Sequence, residues 1–109
     1  MVDLRECLTE QGRSPYAEWF EKLTAPVAAK VAIALSRIQH GNTSSLKSMG
    51  DGVSECRIDF GPGYRIYLAW DGPVLLILLG GGTKKRQQRD VEAAKTVRQA
   101  YKRRKKQEK

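Results

Sequence analysis

The chain has 109 residues, 40% of them hydrophobic, which is enough for one domain with a modest core and too few for two. Its formal charge is +8, and the excess is not spread evenly: residues 83–109 hold 12 basic and 3 acidic side chains, whereas residues 1–82 hold 8 and 9. A positive field concentrated at one end selects for polyanionic partners, and for the final KRRKKQEK a solubilising tail is the equal alternative.

Cys7 and Cys56 are too far apart for a Cys-x-x-Cys motif, and with a single histidine they cannot build a usual zinc site, so no metal and no cofactor is expected. Two isolated thiols and a charged start, MVDLRECL, point to a reducing cytoplasm rather than to a secretory signal. The apolar run Val74–Leu79 is far short of the ~20 residues that cross a bilayer, so no membrane partner is expected.

In chain order, Val2 to Leu8 alternates apolar and charged residues and suits an edge strand that Gln11-Gly12-Arg13 breaks. Ser14-Pro15 opens a helix, since serine caps N-termini and proline suits the first helical position. Tyr16, Trp19, Phe20 and Leu23 recur at helical spacing and are read as core. Thr24-Ala25-Pro26 restarts the chain into a second helix, with Val27, Val31, Leu35 and Ile38 on one face, ending near His40-Gly41. Residues 43–51 (TSSLKSMGD) read as a polar linker in which Lys47 is placed to reach a phosphate.

From Gly52 to Asp90 three β-rich runs are separated by Gly61-Pro62-Gly63 and by Asp71-Gly72-Pro73, which predicts an antiparallel meander. Alternation puts Cys56, Ile58 and Phe60 on one side of the first strand, and Tyr64, Ile66, Leu68 and Trp70 on one side of the second. Packing that side against the helix pair leaves Arg57, Arg65 and Tyr67 on a solvated face beside the basic loop, the candidate working surface. Gly80-Gly81-Gly82 ends the third strand; the spacing of a nucleotide-binding P-loop is absent. Residues 87–101 predict a last helix with an apolar stripe of Val91, Ala94, Val97 and Tyr101, followed by a basic, fraying tail over 102–109.

The strings GVSECRIDFGPGYRIY and LLGGGTKKRQQRD carry Glu-x-Arg-Ile, Gly-Pro-Gly-Tyr-Arg, Gly-Gly-x-Lys and Gln-x-x-Asp. In combination this pattern, spanning Leu23 to Lys95, resembles the HigB-like branch of the RelE/ParE superfamily, the addiction-module killer proteins of bacterial toxin–antitoxin pairs. The resemblance implies an α+β fold over residues 1–109: two N-terminal helices packed on a small, mainly antiparallel sheet, with a C-terminal helix. It also implies metal-free cleavage of mRNA inside the ribosome, and a small helix-turn-helix antitoxin as partner. Carried over residue by residue, Arg65 matches the phosphate-contacting motif arginine, Lys84 the basic position after the last strand, and Arg57 a basic position on the preceding strand. Asp59 stands where many relatives have a second basic residue, and their C-terminal Tyr or His has no counterpart here; Tyr67, Tyr64 and Asp90 are the candidates for its proton-transfer role.

The candidate catalytic set is therefore Arg65, Lys84, Tyr67, Arg57 and Asp90, and the candidate RNA- and ribosome-binding set is Lys47, Lys85, Arg86, Gln87 and Arg89. Other uses stay open: a cross-strand ion pair of Arg65 with Asp59 or Glu55, and a helix-capping role for Asp90. The departures also leave two other functions open, a ParE-type gyrase poison that cuts no RNA and a non-catalytic nucleic-acid-binding accessory.

Overall fold

The centre of the sheet is the run Tyr64–Asp71, whose residues 65–69 are all buried. The computed structural model describes residues 1–107. In order it contains β1 (Asp3–Glu6), α1 (Pro15–Glu21), α2 (Ala25–Gln39), β2 (Leu46–Ser48), β3 (Ser54–Ile58), β4 (Tyr64–Asp71), β5 (Leu75–Thr83), a 3-10 turn (Lys84–Arg86) and α3 (Gln87–Gln107). The five strands are arranged β1-β5-β4-β3-β2, with β1 parallel to β5 and every other neighbour antiparallel. The α+β architecture, the meander and the N-terminal edge strand are as the sequence predicts.

The helices begin where their caps require. Ser14 Oγ accepts from Ala17 N at 3.0 Å, with Pro15 in the first turn of α1. Gly41, at φ +97°, follows the end of α2 in the left-handed conformation that glycine adopts without a Cβ clash. On one sheet face Tyr16, Val27, Val31 and Ile38 from α1 and α2 pack with Cys56, Ile58, Ile66, Leu68, Leu76 and Leu78.

Two expectations are corrected. The second sheet face is not solvated: α3 lies across it, and Val91 and Ala94 pack with Val53, Tyr67, Ala69, Ile77 and Leu79. The apolar stripe of α3 needs an apolar surface to cover it, and this face supplies one. Arg65 (4% exposed) and Tyr67 (0%) are consequently interior residues. Second, the polar linker holds a further strand: β2 pairs with β3 in the register Leu46↔Cys56, Lys47↔Glu55, Ser48↔Ser54.

The glycine run closes β5, as expected, and is paired with β4 through Gly82. A Cβ on Gly81 would fall 2.3 Å from the Trp19 ring, and one on Gly82 would fall 1.8 Å from Asp90 Oδ2. These glycines let α1 and α3 approach the strand closely from opposite sides. With no proline or glycine to stop it, α3 runs into the basic tail as far as Gln107: Lys105 Nζ donates to Asp71 Oδ2 at 2.6 Å, Tyr101 Oη also donates to Asp71, and Arg104 Nη2 donates to the Leu8 carbonyl. The last two positions of the predicted tail, 108 and 109, lie outside the described residues.

Candidate functional site

The β3–β4 turn and the end of β5 build one hollow, of about 280 Å³. Gly61 and Gly63, at φ +57° and +84°, reverse the chain, and Lys84 N donates to the Gly63 carbonyl at 3.1 Å. That bond fastens the basic turn after β5 to the β3–β4 turn. Arg57, Asp59, Tyr64, Arg65 and Lys84 are the side chains that bring charge or a hydroxyl to the lining. Arg65 Nη1 and Lys84 Cβ each lie 3.6 Å from where a side chain on Gly63 would begin, so the two residues meet at this turn. Arg57 and Arg65 are directly opposed across β3 and β4. Two opposed guanidiniums repel, and a bound anion relieves that repulsion.

Behind the hollow, between the sheet and the start of α3, is a buried polar cluster. Glu55 (1% exposed) accepts from Gln87 Nε2 at 2.7 Å and lies 3.5 Å from Arg65 Nε. The cross-strand ion pair left open between Asp59 and Glu55 is thus made by Glu55, while Asp59 is exposed. At 3.5 Å the pair is held by charge rather than by a hydrogen bond, and Arg65 Nε has no hydrogen-bond partner.

Tyr67 Oη and Asp90 Oδ2 are also buried without a hydrogen-bond partner. Burial pushes the Tyr67 hydroxyl well above the ordinary phenol range, and the charges of Glu55 and Asp90 push it further. Burial likewise raises the Asp90 carboxyl, against the pull of Arg86 and Arg89.

The structure brings Arg57, Arg65 and Lys84 to one cavity and keeps Tyr67 out of it, sealed under α3. Asp90 sits on the α3 side of Gly82, behind the cavity. Gln87, expected at the RNA surface, turns its amide inward to Glu55. Lys85, Arg86 and Arg89 line a second, outer hollow of about 700 Å³ with Gln88 and Glu92. Lys47 is exposed on edge strand β2, level with Glu55 but outside the cavity.

Glu55, open from sequence as an ion-pair partner of Arg65, also contacts Gln87, which sequence did not show, and Tyr64, a proton-transfer candidate, is a cavity wall. Glu55 carries a readable signal, because it is an acid flanked by Val53 and Tyr67 on a face that the α3 stripe must cover. Among the described residues no group of three or more His, Cys, Asp or Glu is placed to hold a metal ion. No helix among them is long and apolar enough to cross a membrane.

A five-stranded mixed sheet carrying two N-terminal helices on one face and one long C-terminal helix on the other is compatible with the RelE-like fold. A family model described as Phage derived protein Gp49-like (DUF891) matches residues 18–103. An uncharacterized protein of Haemophilus influenzae (strain Rd) is 42% identical over 85 residues, covering 77% of this chain and 86% of that protein. The chain belongs to the Gp49-like family, a RelE-like toxin family of toxin–antitoxin systems, and membership implies an antitoxin as partner.

Proposed function

We propose that this toxin is a HigB-like mRNA endonuclease that cuts on the ribosome without a metal, and that a small helix-turn-helix antitoxin encoded beside it neutralises it. The observation that carries the reading is the meeting of Arg57, Arg65 and Lys84 around one cavity. RNA holds its own nucleophile: the 2′-hydroxyl attacks the adjacent phosphorus and loses its proton to a base. The 5′-oxygen leaves and takes a proton from an acid, giving a 2′,3′-cyclic phosphate and a 5′-hydroxyl. Negative charge gathers on the phosphoryl oxygens in the transition state, where Arg65 and Lys84 act and Arg57 flanks them. Tyr64 and Asp59 bring the hydroxyl and the carboxyl on the cavity wall that proton transfer needs. Tyr67 and Asp90, set behind it, suit a supporting role. Lys85, Arg86 and Arg89 on the outer hollow, with Lys47 on the sheet edge, extend the cationic surface toward ribosomal RNA.

The burial of Tyr67 and the Glu55 partner of Arg65 favour a second reading, a ParE-type gyrase poison whose cations bind protein. Induced expression separates the two. Codon-linked cuts in cellular mRNA support the endonuclease, whereas an SOS response with gyrase-linked DNA breaks and intact mRNA supports the poison.

A further inference from the structure

Glu55 is the one carboxylate among the described residues that is fully sealed from solvent, and the cleavage chemistry above does not use it. Burying a carboxylate is costly unless it is paired and hydrogen-bonded, so its partners define what its position is for. Both partners reach the same atom, Oε2: Gln87 Nε2 at 2.7 Å and Arg65 Nε at 3.5 Å. One lines the cavity, and the other adjoins the turn that brings Lys84 to it. Arg65 is on β4, with Nη1 at the Gly63 turn; Gln87 is the residue immediately after the Lys84–Arg86 turn that presents Lys84.

We infer that Glu55 is a positioning residue, one oxygen of which sets the Arg65 guanidinium and the Lys84-bearing turn relative to each other so that both cations address one phosphate. The inference rests on the endonuclease reading and deepens it. Holding an arginine from its Nε side leaves the Nη atoms for the forked contact that a phosphate accepts. The charge of Glu55 keeps the guanidinium turned, and the Gln87 hydrogen bond ties that orientation to the basic turn. A carboxylate that served only to join β3 to β4 would need no link to α3.

The test compares wild type, Glu55→Gln, Arg65→Ala and the double variant on ribosomes programmed with message. Glu55→Gln is expected to cut about 100-fold more slowly, the scale of a catalytic group displaced by ~1 Å, with half-saturating ribosome concentration unchanged. Millimolar ethylguanidinium is expected to restore part of the Arg65→Ala rate and none of the double variant's, because the carboxylate that would seat it is gone. In 15N NMR the Arg65 Nη signals should be distinct in wild type, where the guanidinium is held in one orientation, and averaged by rotation in Glu55→Gln. Equal rescue of single and double variants, or Nη signals unchanged by Glu55→Gln, would overturn the inference.

If Glu55→Gln does not fold, Gln87→Leu takes its place. Its cleavage should slow with affinity retained, and a wild-type rate would count against the inference. A wild-type protein that cuts no message rejects the endonuclease reading, and the NMR comparison then decides the positioning of Arg65 separately.

Discussion

The face that α3 covers has two unlike ends. At the far end Val53, Ala69, Ile77 and Leu79 meet Val91, Ala94, Val97 and Tyr101, an apolar seam finished by Asp71 with Tyr101 and Lys105. At the near end the same two elements bury Glu55, Arg65 and Tyr67 against Gln87 and Asp90, and three polar atoms there find no hydrogen-bond partner. The far end removes apolar area from water and stabilises the fold. The near end spends part of that stability on holding unsatisfied charge beside a cavity, as expected where stability is given up for a working site.

The sharpest way to break the comparison is at Arg65. Arg65→Ala should lower cleavage by about 10²–10³-fold, the scale of removing one transition-state donor. It should also cost roughly 3–5 kcal/mol of stability, because Glu55 is left buried and unpaired. Adding Glu55→Gln should return most of the stability, read by urea unfolding, and none of the toxicity, read by colony counts on induction. At the far end, Leu79→Ala should cost about 2–5 kcal/mol, with activity falling only as far as the folded fraction falls.

Gly82→Ala, which drives a Cβ into Asp90 Oδ2, should cost about 1–3 kcal/mol. Asp90→Ala should relieve part of that cost, and a double-mutant cycle reads the coupling.

The smallest effects distinguish the ends by sign. Lys105, and then Tyr101, hold the Asp71 carboxyl below its usual 3.8, so its stabilisation is present above pH 3.8 and fades as pH falls through the lowered value. Burial holds Asp90 above 3.8, so its contribution is present below pH 3.8 and is lost as pH rises through the raised value. At pH 7 Asp71→Asn should therefore lose stability, by about 0.5 kcal/mol and less in high salt, while Asp90→Asn gains. The Asp90 difference should vanish below pH 3.8, whereas the Asp71 difference should persist there and shrink only as pH falls through its lowered value; denaturant unfolding across this pH range checks both.

Much of this fold was legible because its signals are local. Ser14-Pro15, the Gly-Pro-Gly turn, and the stripes of α2 and α3 each name their element without reference to the rest. The two-sided burial of β4 was not legible by alternation, which assumes that one face meets water. YRIYLAWD is close to a continuous apolar run, the pattern of a strand covered on both sides. The stripe Val91, Ala94, Val97 and Tyr101 was visible, but its partner surface is discontinuous in sequence, from Val53 to Leu79. β2 escaped notice because three residues are too few for a period to show. At the site, the convergence of Arg65 and Lys84 followed from motif order, but the role of Glu55 depends on a contact across 32 residues, with Gln87.

The most direct measurement is the chemistry of the RNA ends left by the purified protein on programmed ribosomes. The account predicts cuts at defined codons bearing 2′,3′-cyclic phosphate and 5′-hydroxyl ends, absent with Arg65→Ala and with Lys84→Ala. Uncut message under conditions where the wild-type protein arrests growth, or 5′-phosphate ends, would contradict it.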